Sequence, residues 1–139
     1  NYIEEVDTPQ SKDFVKRFHA MLPDEPYINQ EDENSYAAVY LYKEMVEKVK
    51  GSTKIDDVRA TLADGQLCYD APEGKMCIDP KSQHTSHTIY LAHVNADHSI
   101  DFPKKWDDIK PYWLGDVGCD LTKNDPSAQY TPSSLPPKL

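Results

Sequence analysis

The sequence predicts a mixed α/β body in which three helices are followed by two β-hairpins and an irregular tail. Three observations carry that expectation. Apolar residues recur at helical spacing between Phe14 and Leu62, with capping residues at the turns between them. After Gln66 the period changes to short, strand-like runs separated by turn residues. Pro126, Pro132, Pro136 and Pro137 then crowd the C-terminal stretch.

The elements follow in order. Asn1-Tyr2-Ile3-Glu4-Glu5-Val6 reads as a short extended segment without a cap in front of it. Thr8-Pro9 makes a helix entry, a hydroxyl N-cap followed by proline at the first helical position. Phe14, Phe18 and Met21-Leu22 then form the apolar stripe, and Pro23 and Pro26 end the helix. A second helix is expected from about Asp32 to Lys50. Its Tyr36 to Tyr42 stretch is apolar nearly all round, which predicts burial against more than one neighbour. Gly51 is a natural stop, and Ser52-Thr53 is placed to cap a third helix carrying Ile55, Val58 and Leu62 on one face and ending at Gly65. Asp56 and Asp57 in its first turn suit the helix dipole.

Leu67 to Tyr69 and Lys75 to Ile78 read as two strands around a turn, and Thr88 to Val94 and Ser99 to Phe102 as two more, joined through Ala96-Asp97-His98. After Trp106 the pattern fades. Residues 1–105 are therefore expected to form the folded portion and 106–139 an irregular, proline-rich tail.

Composition narrows the functional classes. A chain of 139 residues fits one modest domain, and its hydrophobic content of 38% is low. Surface is over-represented, as in a small or elongated body or in one part of something larger. With 15 basic against 24 acidic residues and a net charge of -9, no surplus of Lys or Arg is present to neutralise phosphates, so a nucleic-acid partner is not expected. No apolar run approaches the ~20 residues of a membrane span. The absence of a signal peptide and an initiator Met reads as a mature, processed or excised chain.

Three cysteines are present, an odd number. If Pro72-Glu73 forms a hairpin tip, Cys68 and Cys77 fall opposite one another; a cross-strand disulfide and a reduced buried pair both fit that placement. Cys119 then needs a partner in another chain or stays a thiol, which makes it an interchain candidate. His84, His87, His93 and His98 are close in sequence, with Asp79, Asp97 and Asp101 nearby. Strand residues alternate between faces, however, so convergence on one metal ion is not expected, and neither is any cofactor. No nucleophile elbow, glycine-rich phosphate loop or HExxH motif occurs. Nothing in the residues argues for an enzyme, and no catalytic residue is assigned.

Two stretches carry a family likeness. The first is Val6-Asp7-Thr8-Pro9 with Phe14-Val15, then Glu33-Asn34-Ser35-Tyr36 leading into Val39 to Lys43 and Val46-Glu47-Lys48. The second is Asp56 to Arg59, then Asp70-Ala71-Pro72-Glu73-Gly74-Lys75, Ile78-Asp79-Pro80-Lys81 and His84. Over about residues 2 to 102 the chain resembles the C-terminal region of the urea/amide-binding branch of type I periplasmic binding proteins. These are solute receptors of ABC transporters and related amide sensors.

In that family two α/β lobes close on a small ligand. The resemblance implies that this chain supplies part of the second lobe, with most ligand contacts lying elsewhere. Tyr2 corresponds to an aromatic near the cleft and Glu33 to the acid ahead of the dense helix, and both are implied ligand-binding residues. The three cysteines and the proline-rich tail depart from the family pattern and point to an oxidising, secreted, extracellular or periplasmic setting.

The expected function is non-enzymatic solute binding by a receptor fragment or subunit. Its partners would be the remainder of the receptor or another protein chain, and a small amide when the cleft is complete. The alternative is a secreted structural or protein-interaction module derived from that fold, without small-ligand binding.

Overall fold

The computed structural model describes residues 1–65, 67–116 and 118–123. The expectation of an irregular tail falls, from residue 124 onward, outside the described residues. What is described has three helices followed by two antiparallel hairpins, the predicted architecture.

The first residues curl instead of extending. The Val6 N–H donates to the Ile3 carbonyl at 3.0 Å, closing a turn. That turn aims both Tyr2 and Val6 inward, where they pack with Phe14 and Ile28 as the first core cluster. Helix α1, Pro9–Met21, begins where the sequence places it: Thr8 Oγ1 accepts from the Ser11 N–H at 2.9 Å, and Pro9 occupies the first turn. Ser11 and Phe14 are buried, whereas Met21 and Leu22 at the helix end face solvent.

Helix α2, Gln30–Lys48, starts two residues ahead of the expected position because Asn29 builds a capping box. Its Oδ1 accepts from the Glu31 and Asp32 N–H groups at 2.9 and 3.2 Å, and Asp32 accepts from the Asn29 N–H at 3.2 Å. The expectation that this helix is buried on more than one side is corrected. Glu33, Ala37 and Leu41 form a single stripe at four-residue spacing, while Val39 is 66% and Tyr42 49% exposed. The small Ala37 lets the first hairpin approach closely, packing against Ala71 and Met76, and Leu41 meets Leu67 and Ile78 one turn on. Aromatic bulk at positions 36, 40 and 42 does not enter this seam; Tyr36 and Tyr40 lie half-buried along its rim.

Helix α3, Ile55–Ala60, is also started differently. Lys54 takes the cap position without a side-chain bond, and Ser52 Oγ donates to the Asp57 carboxylate instead. Val58 is buried but Ile55 is 71% exposed, so the expected three-residue face is reduced to Val58 and the half-buried Leu62. A 3-10 turn over Thr61–Asp64 follows, and Gly65 ends it with φ +66°, the left-handed region that glycine enters without a Cβ penalty.

Strands β1, Cys68–Ala71, and β2, Gly74–Cys77, form the first hairpin, with Cys68 opposite Cys77. The two sulfurs are bonded at 2.09 Å across a Cα separation of 4.0 Å. Strands β3, His87–Val94, and β4, Ile100–Ile109, form the second hairpin through a connection containing Ala96-Asp97-His98. Here β4 is much longer than the expected Ser99–Phe102. It continues to Ile109, with Trp106 opposite Ile89 and His87 opposite Ile109, so pairing persists beyond the point where the sequence pattern fades. A short helix α4, Trp113–Asp116, follows. Cys119 is half-buried and carries no disulfide among the described residues.

The two hairpins touch where Gly74 faces Thr88. A Cβ on Gly74 would lie 2.5 Å from Thr88 Oγ1, so this close approach requires glycine.

Candidate binding wall

The tip of the first hairpin is the point on which separate parts of the chain converge. Pro72 and Glu73 are both buried. The Pro72 carbonyl accepts from Thr8 Oγ1 at 2.7 Å, so the cap residue of α1 also ties the helix to the hairpin. Glu73 Oε1 pairs with His87 Nδ1 at 2.9 Å and accepts from the Thr88 N–H at 3.2 Å, while Oε2 accepts from Asn1 Nδ2. The Glu73 carbonyl accepts from the Tyr90 hydroxyl at 2.7 Å. On the far side of its ring, His87 Nε2 lies 2.9 Å from Thr85 Oγ1. The His87 pKa is raised, chiefly by its hydrogen bond to the Glu73 carboxylate.

Glu33, in the first turn of α2, has no exposed surface. Its Oε1 accepts from the Glu73 N–H at 3.4 Å, and its Oε2 is buried without a hydrogen-bond partner among the described residues. Burial, followed by the nearby Glu73 charge, pushes its pKa up to about 7. A carboxyl group in that state both accepts and donates close to neutral pH.

Tyr2 is 3% exposed and hydrogen-bonded through its hydroxyl to Ser11 Oγ at 2.7 Å. Burial pushes its pKa up to about 12, and the charge of Glu33 adds to the effect. Tyr2 nevertheless borders a recess of about 270 Å³ between the first residues, the start of α2 and the second hairpin. Asn29, Gln30, Tyr90 and Phe102 form other parts of its lining. Tyr2 and Glu33 thus occupy one neighbourhood, Tyr2 at the wall and Glu33 one turn along α2 from Gln30.

Glu73 is a functional candidate that sequence reasoning missed, and His87 was weighed there only as a possible metal ligand. No local signal marks Glu73, because an acid beside a glycine at a hairpin tip is ordinarily solvent-exposed. The remaining histidines disperse. His84 is exposed, His93 pairs with Asp101 at 3.0 Å, and His98 lies in the hairpin connection with φ +68°. Among the described residues, no group of three or more His, Cys, Asp or Glu side chains is arranged to hold a metal ion.

The first residues, the start of α2 and the second hairpin thus frame a polar-edged recess, with the buried Glu33 one turn along α2. The chain belongs to the periplasmic binding protein domain family, which is non-enzymatic and matches residues 1–111. Among curated proteins it is similar to the Leu/Ile/Val-binding protein homolog 6 of Brucella abortus and of Brucella suis, 26% identical over 106 residues in each case. Those matches cover 76% of this chain and 27% of the relatives, so the chain spans less than a third of their length.

Among solved structures, the fold is similar to a solute binding protein of an ABC transporter from Rhodopseudomonas palustris HaA2 in complex with p-hydroxybenzoic acid. The TM-score is 0.69 at 20% identity, covering 83% of this chain and 32% of that one. An ABC transporter substrate-binding protein from Sphaerobacter thermophilus gives a TM-score of 0.65 at 23% identity, over 78% of this chain and 30% of that one. These likenesses establish the fold.

Proposed function

We propose that the chain is the second-lobe portion of an extracytoplasmic solute receptor serving an ABC transporter, and that it supplies one wall of a closing ligand cleft. The observation that carries this reading is the buried Glu33 carboxyl with an unpartnered oxygen, one helical turn from the recess bordered by Tyr2 and Gln30. Leaving such a group unpaired costs free energy. Glu33 is fully buried and lies outside the recess lining, so an N–H donor of a ligand would reach it only with a local opening at the start of α2. Family membership and the match to solute-binding folds support the class.

Within that class we favour a small amide, urea or a short-chain amide, as ligand. A carboxyl near neutral pKa suits the paired N–H groups of an uncharged amide, and Tyr2 offers an aromatic wall. The remaining contacts would come from the other lobe, as part of the same polypeptide or as a partner chain.

The relatives' names suggest two competing ligand classes, branched-chain amino acids and hydroxylated benzoic acids. Calorimetry on a two-lobed receptor carrying this chain separates them, with urea, acetamide, leucine and 4-hydroxybenzoate titrated in turn. Amide binding that weakens at least tenfold in Glu33→Gln supports the proposal. Tight binding of leucine or the benzoate alone assigns the ligand to the other classes. Failure of all four favours the structural or interaction module. The isolated chain is expected to bind none of them at micromolar concentration, because a single wall leaves most of a small ligand exposed.

A further inference from the structure

A second constellation lies where α1, α2 and β1 meet. Phe14, Tyr36, Tyr40 and Tyr69 form a continuous ladder, with ring centroids 4.6 Å apart from Phe14 to Tyr36, 4.6 Å from Tyr36 to Tyr40 and 5.0 Å from Tyr40 to Tyr69. The last pair is stacked at 14°. Arg17 closes the ladder from α1: its Nη2 donates to the Tyr36 hydroxyl, and its Cζ lies 5.4 Å from the centre of the same ring. Asp13 holds the guanidinium in place through Nε at 2.8 Å.

We propose that Tyr36 is the most reactive phenol among the described residues and a covalent modification site for oxygen-directed electrophiles of the sulfonyl fluoride class. The geometry distinguishes it from the other hydrogen-bonded tyrosines. The Tyr27 hydroxyl donates to the Glu5 carboxylate and the Tyr90 hydroxyl to the Glu73 carbonyl; both give their proton to an acceptor, which disfavours the phenolate. Tyr2 is buried against Ser11. Tyr36 has the opposite arrangement. Its oxygen receives a hydrogen bond from a guanidinium, its ring packs against Tyr40, and the residue is only half-buried, within reach of a reagent.

The electrostatics agree. Burial raises the Tyr36 pKa, but the hydrogen bonds from Tyr40, Arg17 and Tyr69 outweigh it, and the net shift is downward. Tyr69 moves the other way, raised by burial and by its bond to Tyr36. The groups facing the phenol are therefore Arg17 and Asp13 from α1, Tyr40 on its own helix and Tyr69 from β1.

In the reaction, Tyr36 Oη gives its proton to water and attacks the sulfonyl sulfur. The O–S bond forms, the S–F bond breaks and fluoride leaves with its electron pair. Arg17 stays protonated throughout and pairs with the phenolate. No oxidant or reductant is needed.

The test is substoichiometric labelling of the purified chain with an arylsulfonyl fluoride at pH 7.5, mapped by peptide mass spectrometry. Tyr36 is expected to label several-fold faster than Tyr112, because its oxygen accepts a hydrogen bond from the Arg17 guanidinium, which favours the phenolate. Tyr112 is the stringent control because it is 79% exposed. Arg17→Gln should bring Tyr36 down to the Tyr112 rate, Arg17→Lys should retain part of the advantage, and the pH-rate midpoint of Tyr36 should move upward in Arg17→Gln. Labelling of Tyr112 or Tyr42 ahead of Tyr36, or a Tyr36 rate unaffected by Arg17→Gln, overturns the assignment. If circular dichroism shows that Arg17→Gln is unfolded, Tyr40→Phe and Tyr69→Phe take its place, and Tyr36 labelling that does not slow in either variant overturns the assignment equally.

Discussion

The Glu73 N–H points at Glu33 Oε1 across 3.4 Å, placing the first turn of α2 against the tip of the first hairpin and burying two carboxyl groups side by side. His87, paired with Glu73 at 2.9 Å, supplies compensating charge from β3. Glu33 has no such partner for its second oxygen. The pair therefore concentrates unfavourable electrostatics at one place in an otherwise apolar seam.

Stability should fall as pH rises from about 5 to 8. The folded state keeps a proton on Glu33 up to about pH 7, whereas the unfolded chain releases it near 4.5. Between those values stability drops by up to about 1.4 kcal/mol per pH unit. His87 acts in the same direction: its raised pKa contributes stability that is fully present below the ordinary value of 6.5 and lost as pH passes the folded value. Denaturant midpoints measured from pH 5 to 8 should decline in the native chain and decline much less in Glu33→Gln. That variant should be the more stable of the two at pH 8. A flat native profile would show that Glu33 ionises as freely as an exposed carboxylate.

Opening the Cys68–Cys77 bridge should lower stability by less than about 3 kcal/mol. The bond joins residues nine apart in sequence, and the unfolded-state entropy removed by so short a loop is correspondingly small. The hairpin tip is also anchored independently by Thr8, Tyr90 and His87. Urea midpoints with and without reductant check this, and complete unfolding on reduction would mean that the tip contacts contribute little.

The sequence disclosed the elements well because their signals are local. Thr8-Pro9 and the turn around Pro72-Glu73 dictate backbone geometry within a few residues, and both appear where expected. Burial was less legible. A helical wheel counts Tyr36, Val39, Tyr40 and Tyr42 as apolar, yet the seam is set by the partner's approach distance, and a close hairpin selects Ala37 over any of them. The length of β4 was hidden for a related reason. Lys104, Lys105, Asp107 and Asp108 do not look like strand residues, but they occupy an exposed ribbon held by backbone pairing with β3. Of the candidate site, Tyr2 and Glu33 were singled out only through the family resemblance, while the Glu73–His87 pair joins residues fourteen apart on separate hairpins and becomes visible only once the hairpins pack.

Gly74→Ala should cost at least about 2 kcal/mol, more than a typical surface substitution. Two effects add. The backbone at Gly74 has φ +135°, a region that L side chains rarely adopt, and the new methyl group would meet Thr88 Oγ1 at 2.5 Å. Thr88 would be pushed from its hydrogen bond to Asp107, now 3.2 Å long, and the two hairpins would separate. Denaturation with a parallel measurement of amide exchange at Thr88 is the check; unchanged protection there would show that the hairpins tolerate a wider gap.

Tyr2 allows its two chemical parts to be separated. The hydroxyl is already engaged by Ser11 at 2.7 Å inside the core, while the residue borders the recess. If the ring is the ligand-facing part, Tyr2→Phe should lower stability by about 1–2 kcal/mol, the cost of leaving the buried Ser11 hydroxyl short of a partner. Ligand affinity in a two-lobed receptor should then change less than threefold. Tyr2→Ala should remove the apolar wall and weaken binding by at least tenfold. Adding Ser11→Ala to Tyr2→Phe should recover much of the lost stability, because both polar partners are then gone, and affinity should again stay put. The opposite pattern, in which Tyr2→Phe leaves stability intact but abolishes binding, would mean that the hydroxyl leaves Ser11 to reach the ligand when the lobes close.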